Sequence, residues 1–233
     1  MKKFFELMLL CATVIGIVSC EKCSENIKPE IVDVCFDVQF VQSGSMTRSA
    51  SDEYSTFYNN HIKNKELVPQ HYTLTITNSK NEYVATLNGT WNITSLQLPT
   101  GIYKVTGESN GDYKIASLKF DEEINITSFG TFTLTAQYDC FLLMFPTDKG
   151  ASNYQYAEGN SLYSIKYEMP TIDNLSYMFV SDITPLLRIS YDTAEGSNIL
   201  DINNESFNFE NGYYYYYNII SSSFDIPPME SGN

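Results

Sequence analysis

Residues 31–40 alternate with a period of two. Val32, Val34, Phe36, Val38 and Phe40 fall on one side of an extended chain, and Asp33, Cys35, Asp37 and Gln39 on the other. That is the signature of a half-buried strand. The next segment changes period. Tyr54, Phe57, Tyr58, His61 and Ile62 recur at i, i+3, i+4, i+7 and i+8, with Ser51 placed to cap and Asp52 and Glu53 in the first turn. This predicts a short helix over 52–65. His61 belongs to its apolar stripe, so it reads as a structural side chain.

Alternation then returns. Tyr72, Leu74 and Ile76 interleave with threonines, and Tyr83–Leu87, Leu96–Leu98, Ile102–Val105, Ala116–Phe120 and Phe132–Tyr138 follow the same rule. Asn88-Gly89, Asn110-Gly111 and Pro99-Thr100-Gly101 supply the turns between them. Cys140–Phe145 is an unbroken apolar run ended by Pro146, which predicts a strand covered on both faces. Further strands are expected at Leu162–Met169, Leu175–Val180, Leu186–Tyr191 and Phe207–Phe209. Two more follow, at Tyr213–Ile220 after Asn211-Gly212 and at Phe224–Ile226. Short strands at regular spacing predict an all-β fold of one or two tandem β-sandwich domains, with a short helix after the first strand. A junction near Gln137–Tyr138 divides the body into 31–137 and 138–233.

Composition narrows the function. The chain has 233 residues and a formal net charge of −14, so it repels phosphate backbones and is not expected to bind nucleic acid. With 43% hydrophobic residues, 14 Phe and 18 Tyr, a packed core is available. Two His and five Cys leave little material for His-based catalysis or a metal cluster. Neither G-x-S-x-G, a Walker loop, H-E-x-x-H nor an EF-hand loop occurs in the sequence. The reading is therefore non-enzymatic, with no cofactor and no metal.

The N-terminus sets the compartment. Met1-Lys2-Lys3 is a basic start, and the apolar stretch from Phe4 to Val18 is short for a membrane span but suits a secretory signal. It closes with Ile17-Val18-Ser19-Cys20, which resembles a bacterial lipobox. The resemblance implies cleavage between Ser19 and Cys20 and diacylglyceryl and palmitoyl-type acylation of Cys20. Residues 1–19 are then a lipoprotein signal peptide and 20–30 a lipidated tether. Losing Lys2, Lys3 and Glu6 moves the charge from −14 to −15. Acyl chains, at ~0.8 kcal/mol per buried CH₂, hold such a chain at a membrane. Cys23, Cys35 and Cys140 remain, an odd number, so whether any two pair stays open.

Three features together resemble the fimbrillin-type surface lipoproteins of Bacteroidales. They are the lipobox cysteine with its polar tether, the first strand running into Ser45-Met46-Thr47-Arg48, and the hairpin Leu96-Gln97-Leu98-Pro99-Thr100-Gly101-Ile102-Tyr103-Lys104-Val105. The resemblance implies transthyretin-like or Ig-like sandwich domains, an outer-membrane lipid anchor and cell-surface exposure in a fimbrium. It also implies processing after Arg48, with Ile31–Val41 as the removable strand. The partner is then another fimbrial subunit, or a second copy of the chain, joined by strand exchange. Phe224–Met229 would be the donor, although Pro227-Pro228 limits its pairing. The chain could equally be a non-polymerising relative, or an adhesive tip or accessory component.

The aromatic residues allow a second reading, a surface glycan-binding lipoprotein of a polysaccharide-uptake system that meets host or dietary glycans. Trp91, Tyr213, Tyr215 and Tyr217 are its candidate platform. Alternation puts the three tyrosines on one face and Tyr214 and Tyr216 on the other, so one set is expected in the core. Asp192-Thr193-Ala194 resembles the bacterial O-glycosylation signal Asp-(Ser/Thr)-aliphatic, which makes Thr193 a candidate acceptor.

Overall fold

The strands sort into three sheets, and the chain switches from the first to the others between Tyr138 and Phe141. The computed structural model describes residues 29–40, 52–64, 66–90, 94–158, 165–183, 186–203 and 207–225. The first sheet holds β1 (Ile31–Phe40), β2 (Tyr72–Asn78), β3 (Tyr83–Gly89), β4 (Thr94–Pro99), β5 (Gly101–Ser109), β6 (Leu118–Ile126) and β7 (Gly130–Tyr138). Their order is β3-β2-β5-β6-β7-β1-β4. Among the described residues β6 and β7 pair in the ladder only at Leu118–Tyr138 and Lys119–Gln137. There the sheet folds over, so that Val34, Phe36 and Leu134 from one layer share a core with Leu74, Ile76, Val105 and Phe120 from the other. The Pro99-Thr100-Gly101 corner carries the chain from β4 in one layer to β5 in the other.

The remaining strands are β8 (Phe141–Pro146), β9 (Ala151–Glu158), β10 (Tyr167–Glu168), β11 (Thr171–Ile172), β12 (Leu175–Val180), β13 (Leu187–Thr193), β14 (Gly196–Ile202), β15 (Tyr214–Asn218) and β16 (Ser223–Asp225). They form a β10-β9-β13-β14 sheet and a β11-β12-β8-β15-β16 sheet around a second, aromatic-rich core. The two halves share one plan. β1 lies between parallel β7 and antiparallel β4, and β8 lies between parallel β15 and antiparallel β12. β2 is flanked by antiparallel β3 and β5, as β9 is by β10 and β13. β6 follows β5 as β14 follows β13. β11 and β16 are additions to the second copy. Sequence alone does not display this repeat, because it lives in strand order and not in residue identity.

A third cluster covers the outer face of the β8 sheet. Phe57, Ile62, Leu67, Val68 and Ala116 pack on Leu142, Met144, Tyr177, Phe179 and Tyr214. This is why Phe141–Pro146 is buried at every position: Phe141, Leu143 and Phe145 face the second core, and Leu142 and Met144 face the third cluster. Phe57 and Ile62 come from α1 (Asp52–Phe57) and the π-helical turn Tyr58–Ile62 that continues it. The predicted regular helix over 52–65 is thus shorter and partly π-wound.

Other expectations need correction. Phe207–Phe209 is not a strand; its rings plug the second core, with Phe209 stacked on Phe141 at 4.9 Å. The strand expected over Leu162–Met169 is, among the described residues, only Tyr167–Glu168. β9 and β14 carry no clean apolar alternation, because one is bulged and the other, at an edge, sets Ile199 beside Leu200.

One glycine permits the close approach of β2 and β5. A Cβ on Gly107 would lie 2.3 Å from the Thr73 carbonyl oxygen, a backbone atom that has no rotamer to move to. Gly107→Ala is therefore expected to lower stability by about 1–3 kcal/mol, the usual cost of overpacking. A urea melt reads this as a lower midpoint at unchanged slope.

Candidate strand-exchange site

β1 combines deep burial with the first place among the described strands. Val34 and Phe36 are fully buried, and Val32 and Val38 nearly so, while Asp33 and Gln39 face solvent. The alternation read from sequence is the alternation of burial. Its backbone ladder runs antiparallel to β4, from Ile31–Pro99 to Phe36–Thr94. On the other side it runs parallel to β7, from Val34–Gly130 to Phe40–Ala136. Outside, Gln97 Nε2 donates to Asp33 Oδ1 at 3.0 Å, pinning the register.

Both neighbours depend on β1. Among the described residues it is the only strand that pairs with β4, and without it β7 keeps just its two pairs with β6. Among the described residues β1 is also the first strand in chain order. Its departure would open a slot with two unpaired edges over an apolar floor. An extended chain is the shape that satisfies both.

The segment that follows is held elsewhere. Phe57 packs edge-on against Tyr177 at 5.2 Å and lies 5.3 Å from His61. His61 Nδ1 is 2.7 Å from Glu66 Oε2, and its Nε2 is 2.8 Å from Asp173 Oδ2. Asp173 and Asn174, both at positive φ, form the turn between β11 and β12. A neutral imidazole has one N–H and can donate to only one carboxylate. The observed geometry, with an acceptor on each nitrogen, is satisfied in full only by imidazolium. Burial pulls the His61 pKa down, but hydrogen bonds and charge from Glu66 and Asp173 outweigh it and raise the value above the usual 6.5. The His61 hydrogen bond, helped by Asn60, holds the Asp173 carboxyl below its usual range.

The sign follows from these directions. A raised His pKa stabilises the fold fully below pH 6.5, and the contribution fades as pH climbs through the raised value. The depressed Asp173 value contributes above the ordinary carboxylate range and is lost in acid. Wild type and His61→Gln should thus differ most in thermal melts near pH 5.5–6, and the difference should narrow toward pH 8.5. A gap that does not change with pH would show that His61 acts by packing alone. The sequence placed His61 on an apolar stripe but could not supply Asp173, 112 positions away.

The other named residues fall as follows. Ser19, Cys20, Arg48 and Trp91 lie outside the described residues. Tyr215 and Tyr217 are 3% and 2% exposed in the second core, and Tyr214 on the opposite face is 3% exposed in the third cluster. Both faces of β15 are therefore covered. That corrects the expectation of one free face, and no tyrosine platform of 213, 215 and 217 faces solvent. The cause is α1 and the 66–68 segment, which cover what would otherwise be the outer side. Thr193 sits in the β13–β14 hairpin, where its hydroxyl donates to the Gly196 carbonyl and accepts from Asn198 Nδ2. Phe224 is buried among Phe145, Phe207, Phe209 and Tyr217, and β16 pairs with β15, so this part of the suggested donor is already used in its own core. Cys35 is half-buried and Cys140 buried, both as free thiols. Burial pushes the Cys140 thiol up to about 12, which keeps it protonated and unreactive. Among the described residues no His, Cys, Asp and Glu cluster has metal-binding geometry, and no helix is long and apolar enough to cross a membrane.

No family model matches the chain, and no curated protein matches it in sequence. Solved structures do resemble it. A fimbrial assembly protein of Parabacteroides distasonis aligns with a TM-score of 0.49 at 10% identity, over 85% of this chain and 98% of that one. A candidate cell-adhesion protein of Bacteroides uniformis gives 0.45 at 7% identity, over 81% and 91%. A candidate polysaccharide-binding protein of Bacteroides thetaiotaomicron gives 0.41 at 11% identity, over 79% and 90%.

Proposed function

We propose that this chain is a lipid-anchored surface protein with a structural or adhesive role, a fimbrillin-like subunit that accepts a strand from a neighbour once β1 is removed. The observation that carries the reading is the place of β1. Among the described residues it is the first strand, it fills a slot between β4 and β7, and it lies just ahead of the segment containing Arg48. Cutting after Arg48 would free β1 while α1, fixed by Phe57 and His61, stays on the body. Cys20 would carry the lipid in the outer membrane until that cut. The donated strand is an extended segment of another subunit and not Phe224, which is spent at home.

The chain has two arginines, Arg48 and Arg188. Arg188 sits mid-strand in β13, with Nε and Nη2 donating to the two Asp201 carboxylate oxygens at 2.6 and 2.7 Å. An arginine-specific protease acting on the folded protein should thus cut once, after Arg48. The expected result is one large fragment beginning at Ser49, followed by a ladder of oligomers on native gels. Arg48→Lys should give neither. A single cut that leaves a monomer of unchanged melting temperature would refute strand exchange.

A further inference from the structure

A cleft of about 570 Å³, within the range of small-ligand sites, opens beside the β10-β9-β13 sheet and is closed on its other side by Thr171 and Ser176 of the neighbouring sheet and by Thr147, which follows β8. Its exposed surface is mostly polar, with Tyr154, Met169 and Tyr191 of the second core reaching its wall. Glu168, Gln155 and Ser190 stand opposite one another on three adjacent strands, paired Glu168–Gln155 and Gln155–Ser190. Their side chains make no hydrogen bond or ion pair with other described residues, so their donors and acceptors are free for a ligand. Asp192 and Asn153 flank this row, and Lys166 stands at its border.

The flanking pair is built and held. Between Ser190 and Asp192 the register slips, so that Asn153 and Tyr154 of β9 oppose Tyr191 alone on β13. The bulge places Asn153 at φ 55, a left-handed value that asparagine tolerates, and brings its Nδ2 to Asp192 Oδ2 at 3.0 Å. Ser197 Oγ donates to the other Asp192 oxygen at 2.7 Å. These two bonds, with the nearby Lys166 charge, hold the Asp192 carboxyl below its usual range, so it is ionised at neutral pH. Its rotamer is fixed before any ligand arrives, which reduces the ordering cost of binding.

We propose that this cleft binds a neutral oligosaccharide. Three features select that class. The lining mixes carboxylate, carboxamide, hydroxyl and ammonium groups, and sugar hydroxyls both donate and accept, so each finds a partner. Two carboxylates against one ammonium leave the cleft slightly negative, on a chain of net charge −14, which disfavours sulfated, phosphorylated or uronic ligands. Little apolar surface lines it, which disfavours lipids and hydrophobic peptides. The inference is independent of strand exchange, since it uses the second half and no residue of β1. It also places glycan recognition away from the buried tyrosines of β15.

The test uses the intact protein in mild detergent on an array of neutral hexose and pentose oligosaccharides of two to six units, with uronic and sulfated oligosaccharides as charged arms. At least one neutral sugar should bind. Gln155→Ala and Glu168→Gln should each weaken it at least tenfold with an unchanged melting temperature, while Tyr83→Ala, on β3 in the first sheet, should bind like wild type. No neutral sugar bound, preference for the charged arms, or binding that survives both cleft substitutions would each overturn the proposal. A failed ladder after Arg48 cleavage leaves this result untouched, and the reverse holds as well.

Discussion

Phe36→Ala should destabilise the protein by about 3–5 kcal/mol, the usual loss for truncating a buried phenylalanine. Phe36 is fully buried at the centre of β1, with Val34 and Val38 beside it on the same face. The lost transfer energy is only part of the cost. The ring fills space between two layers whose backbones are fixed by their ladders, so the cavity cannot collapse. A loss this size is a large share of a domain's ~5–15 kcal/mol. The substitution should also make β1 easier to displace. After cleavage at Arg48 the variant should exchange its strand faster than wild type, read as an earlier oligomer ladder. A chemical melt unchanged within 1 kcal/mol would mean that β1 is not seated as described.

Phe145→Ala should cost a similar amount, about 3–5 kcal/mol, with the opposite consequence for assembly. Phe145 is fully buried in β8, 5.2 Å from Tyr154, 5.6 Å from Tyr217 and 5.9 Å from Phe224. Aromatic pairs of this kind add about 0.5–1.5 kcal/mol beyond burial, and truncation breaks all three. Because Phe145 touches neither β1 nor its slot, the rate at which β1 is displaced should stay at the wild-type value under conditions where the protein remains folded. Equal acceleration of exchange by Phe36→Ala and Phe145→Ala would show that assembly reflects global unfolding, not release of one strand.

Much of the fold was legible. β1 announced itself because one of its faces is dry and the other wet, and period-two burial writes itself into residue choice. Phe141–Pro146 was readable for the opposite reason: an unbroken apolar run has no wet face. β14 was not, since Ile199 and Leu200 sit side by side and break the alternation, and Ile199 stays exposed on this edge strand. β9 was hidden by its bulge, which shifts the alternation by one at Asn153. Phe207 and Phe209 misled because core aromatics need no strand to be buried. The tyrosines of β15 misled in the same direction. Local alternation divides a strand into two faces but does not say that α1 and residues 66–68 will cover the second. The candidate slot was half visible: β1 could be named from sequence, while its dependence on β4 and β7 required the ladder registers. The His61 clasp and the cleft were invisible, because both join residues distant in the chain.

The most direct test is complementation. A chain beginning at Ser49 is mixed with a synthetic peptide of residues 30–41 and followed by size-exclusion chromatography and thermal melting. Four buried side chains in β1, at about 1.5–3 kcal/mol each, make the peptide's contribution comparable to a domain's whole stability. Alone, the truncated chain should melt early or self-associate. With peptide it should form a one-to-one monomer that melts near the intact protein, and a Phe36→Asp peptide should fail to rescue it. A truncated chain that stays monomeric, melts like the intact protein and ignores the peptide would contradict the slot.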